Sequence, residues 1–575
     1  MRKKCTPWLL LLIILLLAAS LRFTHVAWDE LRHLHPDERF LSMVINDVQW
    51  PNSMRDYFNS QNSTLSPYNT GKTFFVYGTF PVFLTKMVGD STGFIGYDKY
   101  TFVGRILSGL FDMLTIIIIF LIAKELFDTT TALFSAFSVA AMVIHIQHSH
   151  FFVVDLFATF FVVLSFYLLV LLLKTRRLWY APLVGISWGL ALACKVSAAF
   201  FAVPIFVGCI LMLILNIRNM RDRKSLGRIA RSLCRMLLIG LVILATAFVM
   251  FRVFQPYAFD GPHFWNVKLS DRFKANMQEL SMLHSKSSGY IPVLQWRDKT
   301  PFIQVKNLTL WEIGLPLSII TWLGVLLGIY RLIIKRDLRF LLLVVWVVFM
   351  LVFHALQFVK FSRYLLPATP FLAIFAGYLM QQITRTPLKR PKWRIARNVL
   401  VVIFILSCLL WPLAFTNVYA KGVSRIRAYN WAVDTIPANT TVANEPWDDN
   451  LWPPGTNNEV LALYEADTGE KIKTLSEQLS RTDYVFITSN RVYMVIPTLP
   501  EHPYATRYYD LLFNGTLGFK LEKTFTNYPG LFGIEINDDN AVEAFTVYDH
   551  PKVLIFKKYK KLNSTEIEDL IKGVK

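Results

Sequence analysis

The chain has 575 residues, of which 54% are hydrophobic and only 17% charged, and its mean hydropathy is +0.41. A soluble protein of this length carries far more charge, so the composition points to a polytopic membrane protein and away from an ordinary globular enzyme. The formal net charge of +20 does not mark a nucleic-acid binder, because Lys and Arg fall in short clusters between apolar runs and form no basic domain.

In chain order, "MRKK" precedes an apolar run near 8–24 that lacks a small-residue cleavage site, which reads as a retained signal anchor. Further runs follow near 102–123, 131–147, 152–173, 180–194, 197–217, 236–255, 311–333, 339–357, 364–382 and 398–416, giving about eleven spans. The stretch 180–217 reads as two short helices turning at Lys195. With Arg2, Lys3 and Lys4 in the cytoplasm, alternation puts every dense basic cluster on that same side: Lys174 to Arg177, 216–235, 331–339 and 385–397. Three segments are then exported: 25–101, 256–310 and the tail 417–575. The expected organisation is a membrane domain over 1–416 and an extracytoplasmic α/β domain over 417–575. In the tail, "DYVFITS" (483–489) and "PKVLIFKK" (551–558) read as strands and "KIKTLSEQLSR" as a helix. The sequons at Asn62, Asn307, Asn439, Asn514 and Asn563 all fall in exported parts and permit glycosylation. Cys5, Cys194, Cys209, Cys234 and Cys408 lie in or beside apolar runs, with neither a disulfide framework nor zinc-type spacing.

The same alternation brings ionisable residues to the outer membrane edge. "HLHPDERF" supplies His35, Asp37, Glu38 and Arg39. "FVGRILSGLFD" supplies Arg105, and "HIQHSHFFVVD" supplies His148, His150 and Asp155. Lys195 stands in "GLALACKVSA", and Lys360, Arg363 and Tyr364 in "FVKFSRYLLPATP". Charged groups at such depth are costly unless paired or solvated, which makes them functional candidates. Each has a plainer reading. "HPDERF" is a good helix start, with Pro in the first turn and carboxylates facing the helix dipole. Arg105, Lys195, Lys360 and Arg363 can snorkel to headgroups, and the histidines can cap or pair locally. A divalent cation is an option, with Glu38, His148 and His150 as its candidate ligands, although no strong ligand spacing is present. Carboxylates facing fixed cations at a water–lipid boundary suit a reaction whose leaving group is an anionic lipid phosphate. One carboxylate takes a proton from an incoming hydroxyl, and Arg and Lys receive the departing charge.

The order "HPDERF", "FFVYGTFPVFL" (74–84), "VGRILSGLFD" (103–112), "HSHFFVVD" (148–155), "GLALACK" (189–195) and "RYLLPATP" (363–370) resembles the GT-C fold membrane glycosyltransferases. Within them it is similar to the protein O-mannosyltransferase and aminoarabinose transferase superfamily (glycosyltransferase family 39-like), in bacterial and archaeal members with a first-loop HPDE motif. The tail is similar to the C-terminal domain of the same bacterial relatives. The resemblance implies a polyprenyl-phosphate sugar donor, a protein or glycolipid hydroxyl acceptor and catalysis at the extracytoplasmic face of a prokaryotic plasma membrane. It also implies Asp37 as general base, Glu38 as its neighbour on acceptor or metal, and Asp155, Lys195, Arg105 and Arg363 at the substrate. The first loop of the best-known eukaryotic members differs around its acidic pair. Three rivals are a transporter or lipid flippase, a receptor-like protein with a ligand-binding tail, and a polymerase or ligase moving whole glycans. No internal repeat supports the first, and an anchor has no need of converging acids and bases.

Overall fold

The structure, a computed structural model, describes residues 2–218, 226–447 and 449–573. The middle of the basic stretch 216–235 therefore lies outside the described residues. The chain divides into two compact units. The first contains Met1–Val26, Pro36–Ser281 and Gln304–Leu413, and the second Ala27–His35, Met282–Ile303 and Ala414–Lys575.

The first unit is helical. All eleven apolar runs of the sequence form helix, but they differ in length. Eight helices among the described residues are long and apolar enough to cross a membrane: Thr6–Phe23, Tyr97–Leu126, Asp155–Thr175, Val196–Arg218, Ile229–Phe254, Leu315–Ile333, Leu338–Leu356 and Pro391–Thr435. A ninth is the pair Thr129–Ala141 and Val143–Ser149, bent by 55°. The remaining two, Tyr180–Cys194 with 15 residues and Thr369–Arg385 with 17, are shorter. A 15-residue helix rises only about 22 Å, less than the roughly 30 Å hydrocarbon core. The span expected from 311 begins at Leu315, because Gly314 takes φ +89 and Pro follows within the first helical turn. Lys195 is extended at φ −155, ψ 123 between Tyr180–Cys194 and the 3₁₀ turn Val196–Phe201, so the chain turns there.

The bend at Met142 has an identifiable cause. Met142 is extended, which interrupts the helical ladder. The carbonyls just before the break accept instead from the Arg22 guanidinium, at 3.1 Å (Val139) and 3.0 Å (Ala140). Arg22 Nε also donates to Asp112 Oδ2 at 2.6 Å. His145 Nδ1 lies 2.6 Å from the other Asp112 oxygen, and its Nε2 lies 2.9 Å from the Thr369 hydroxyl. All these side chains are fully buried, and a buried charge is tolerated only when partnered in this way.

Among the described residues the second unit holds seven strands: β1 (Thr441–Asn444), β2 (Asn457–Val460), β3 (Tyr484–Ile487), β4 (Phe519–Phe525), β5 (Gly530–Leu531), β6 (Ile534–Glu535) and β7 (Val553–Lys558). Five form a mixed sheet in the order β2-β1-β3-β7-β4, and β5-β6 form a small hairpin. β1 pairs parallel with β2 and β3, whereas β7 pairs antiparallel with β3 and β4. Side chains alternate between two cores. Val485, Ile487, Leu554 and Phe556 join Ile472, Leu475 and Leu479 of the helix Gly469–Arg481. Phe486, Val553 and Ile555 join Ala428 and Ala432 of the helix Ser424–Thr435. Helices therefore cover both faces of the sheet. A buried ion cluster fixes the last turn before β7. His550 lies 2.5 Å from Asp549 and 2.9 Å from Asp538, and these two carboxylates outweigh burial and push its imidazole up to about 10.

Candidate active site

The first-loop motif opens the helix Pro36–Asp47, with Pro36 at its first position and both acids in its first turn. Successive helical residues point about 100° apart, so the two neighbouring carboxylates face different surroundings.

Glu38 faces inward and is fully buried. Arg105 grips it bidentately, from Nε at 2.8 Å and Nη2 at 2.5 Å. The Phe152 backbone N–H donates to Glu38 Oε2 at 2.7 Å, and Arg105 Nη1 donates to the Val26 carbonyl at 2.8 Å. The approach of Phe152 depends on Gly104, where a Cβ would meet the Phe152 ring at 2.2 Å. The sequence reading expected Glu38 beside the reaction and Arg105 on a phosphate. In the structure they form a solvent-excluded clamp that joins the first-loop helix, the helix Tyr97–Leu126 and the turn before Asp155.

Asp37 faces outward, with its side chain 21% exposed, and pairs with the Arg363 guanidinium. Arg363 and Tyr364 sit on the 3₁₀ turn Ser362–Leu365 ahead of the helix Thr369–Arg385. A second ion pair stands beside this one: Lys195 Nζ donates to Asp155 Oδ1 at 2.6 Å, with Lys195 25% and Asp155 7% exposed. Gly78 holds the Lys195 turn, since its N–H donates to the Cys194 carbonyl at 3.0 Å and a Cβ there would lie 2.3 Å from that oxygen. The Lys195 ammonium lies 4.9 Å from the Tyr364 ring centroid, and the Arg363 guanidinium 5.9 Å. Burial pushes the Tyr364 phenol up to about 12, so it stays protonated. Asp155, Lys195, Arg363 and Tyr364 line one small recess, with Ala158, Val162, Ala198 and Pro367 as its apolar wall.

The other expected residues take different places. His148 donates from Nδ1 to the Ile144 carbonyl, 2.8 Å away, and lies within electrostatic reach of Asp155. His150 has both ring nitrogens on backbone carbonyls, Ile146 at 2.8 Å and Thr24 at 2.9 Å. Lys360 turns its ammonium onto the Gln357 and Phe358 carbonyls and is buried. His35 belongs to the second unit, where its ring lies 4.2 Å from that of Tyr548. A cation held by Glu38, His148 and His150 does not fit: Arg105 and Phe152 occupy the Glu38 carboxylate, and carbonyls occupy both His150 nitrogens. Among the described residues, no three His, Cys, Asp or Glu side chains converge as a metal cage.

Two groups escaped the sequence reading. One is the Arg22–Asp112–His145–Thr369 network, whose signal was present in charges within otherwise apolar runs. The other is Glu312, at the end of a π-helical turn, Leu308–Glu312. It accepts from Asn307 Nδ2 at 2.7 Å, and that amide lies 3.4 Å from Ser362 Oγ, next to Arg363. Asn307, the sequon residue, is therefore buried with its amide engaged. Burial pushes the Glu312 carboxyl up to about 7, against the hydrogen bonds from Ser362 and Asn307.

The fold defines a polytopic membrane protein of the GT-C fold with a C-terminal sheet-containing domain. Residues 96–250, which carry Arg105, Asp155 and Lys195, match the family described as dolichyl-phosphate-mannose-protein mannosyltransferase. Among solved structures, the Archaeoglobus fulgidus oligosaccharyltransferase in the apo form is similar, with TM-score 0.54 and 16% identity over 93% of this chain and 76% of that one. The same enzyme with an inhibitory peptide and a dolichol-phosphate gives TM-score 0.51 and 17% identity over 88% and 72%. ArnT from Cupriavidus metallidurans bound to undecaprenyl phosphate gives TM-score 0.46 and 13% identity over 96% and 98%. No curated protein matches the sequence significantly.

Proposed function

We propose that the protein transfers a sugar, mannose or another hexose or pentose, from a polyprenyl-phosphate donor to a hydroxyl of a protein or glycolipid. The observation that carries this reading is the pair of ion pairs at one recess: Asp37 with Arg363 and Asp155 with Lys195, against an apolar wall. A lipid phosphate entering the recess competes with Asp37 for the Arg363 guanidinium, which prefers bidentate contact with such oxyanions. Asp37, released from that pairing, takes the proton of the acceptor hydroxyl as general base. The acceptor oxygen bonds to the anomeric carbon as the bond from that carbon to the phosphate oxygen breaks. The phosphate leaves with both electrons, stabilised by Arg363 and Lys195, and the displacement inverts the anomeric centre. Glu38 and Arg105 act as positioning residues that set the first-loop helix. The site lies on the extracytoplasmic side, with the N-terminus cytoplasmic and the tail extracytoplasmic, which the alternation of basic clusters supports.

The test uses the purified protein in nanodiscs with a panel of polyprenyl-phosphate sugars. Asp37→Asn is expected to lower kcat by at least about 10²-fold with unchanged thermal unfolding. Lys195→Ala and Arg363→Ala are expected to raise donor KM more than acceptor KM. Full activity of Asp37→Asn, or the reverse KM pattern, removes these assignments. The fold likeness to an oligosaccharyltransferase favours a second reading, transfer of a whole lipid-linked glycan. Activity restricted to oligosaccharide donors would select it.

A further inference from the structure

The β5–β6 hairpin of the second unit carries an apolar tip on its surface. Phe532 is 89% exposed, Ile534 71% and Ile536 40%. Exposure of this kind in a monomer marks a binding surface, because a soluble face keeps such groups scattered. Phe532 takes φ +53 and Gly533 φ +81, and a ring of that size seldom adopts the left-handed region.

The hairpin's attachment identifies its partner. Asn417 Nδ2 donates to the Gly530 carbonyl at 2.9 Å. Lys421 Nζ bonds Glu535 at 2.7 Å and the Tyr528 carbonyl at 3.3 Å. Asn527 Nδ2 donates to the Val418 carbonyl at 2.9 Å. The packing at Gly530 is close: a Cβ there would lie 3.1 Å from Lys421 Nζ, which would have to shift by a few tenths of an ångström. Asn417, Val418 and Lys421 belong to, or directly follow, the end of the membrane helix Pro391–Ala420, whose Leu410 and Leu413 are still exposed. At 1.5 Å per residue, 417–421 lie within roughly 8 Å of the end of the apolar run, the depth range of the headgroup boundary. The base of the hairpin is thus fixed beside the end of this apolar run. We propose that the β5–β6 hairpin is a membrane-interface anchor, with Phe532 and Ile534 inserted among lipid headgroups and upper acyl chains.

The test is a depth measurement on the full chain in nanodiscs of phosphatidylcholine and phosphatidylglycerol. Cys5 and Cys234 are replaced by Ala, since Cys234 is exposed while Cys194, Cys209 and Cys408 are buried. Phe532→Cys, Ile534→Cys and the exposed control Lys473→Cys are each labelled with an environment-sensitive fluorophore. The expected result at 532 and 534 is several-fold stronger quenching by lipids with a doxyl group near the headgroup than at 473, with weaker quenching by aqueous iodide. Iodide quenching equal to that at 473 overturns the proposal as a solvent-exposed tip. Protection from both quenchers overturns it too, because the tip is then covered by protein. Both mutated positions are surface residues, so loss of folding does not confound the reading, and no activity is needed.

Discussion

Asp37 and Glu38 differ by one position and one methylene, yet the fold gives them opposite surroundings. Glu38 is sealed against Arg105 without solvent, whereas the partly exposed Asp37 pairs with Arg363, which lines the recess. Removing one partner of a buried ion pair leaves an uncompensated charge and costs roughly 3–5 kcal/mol. Arg105→Met is therefore expected to lower the thermal unfolding midpoint clearly, whereas Asp37→Asn leaves it in place. Unfolding of both variants in detergent, read by intrinsic fluorescence, checks this, and equal midpoints would contradict the clamp. The sequence made the acidic pair conspicuous but left open which acid faces in. That choice depends on the start of the helix and on a cation 67 residues away along the chain. Neither is a local signal. His150 shows the same limit: its residue type made it a candidate ligand, but two backbone carbonyls decide its role.

Among the elements, the turn Ser362–Leu365 matters most, because it presents Arg363 and Tyr364 to the recess. It is buttressed by Asn307, just before the π-helical turn, and through it by Glu312 at the end of that turn. The Glu312 carboxyl is pushed from an ordinary 4.5 to about 7 by burial. A raised carboxyl stabilises the fold relative to the unfolded chain below its unfolded value, and that contribution is lost as pH rises through its folded value. The wild-type unfolding midpoint should therefore fall between about pH 4.5 and 7, and Glu312→Gln should flatten that slope. A Gln variant with an unchanged slope rules out Glu312 as its source. The apolar runs themselves were easy to read, since hydropathy is a property of composition. The bend at Met142 was hidden, because it rests on Arg22 reaching carbonyls 117 and 118 residues away. In the tail, the strands at 484–487 and 553–558 were legible from dense β-branched and aromatic residues. The strand Asn457–Val460, mostly exposed, gave no such pattern.

For the whole molecule, the arrangement of basic clusters predicts sidedness. In intact cells, Lys473→Cys in the tail is expected to react with a membrane-impermeant maleimide, while Lys389→Cys, between the last two apolar runs, reacts only after lysis. The opposite pattern would invert the proposed topology. The convergence of Asp37, Asp155, Lys195 and Arg363 is a property of the assembled bundle. The helix ends that carry them lie far apart in sequence, and the positions of individual side chains follow from contacts such as Gly78 on Cys194 and Gly104 on Phe152.

The two ion pairs at the recess also bear on turnover. Two carboxylates stand against two cations there, so in the proposed reaction a lipid phosphate arriving with its sugar would be held by redistribution of partners and not by surplus positive charge. On that proposal the spent lipid phosphate, having lost its sugar, would carry an additional negative charge, and the same two carboxylates would compete for its cations. The pairing would then favour ejection of the spent carrier. Asp155→Asn tips this balance by one positive charge, and the expected signature is stronger inhibition by added polyprenyl phosphate together with a slower steady state. An inhibition constant equal to that of the wild type would mean that carrier release is governed elsewhere.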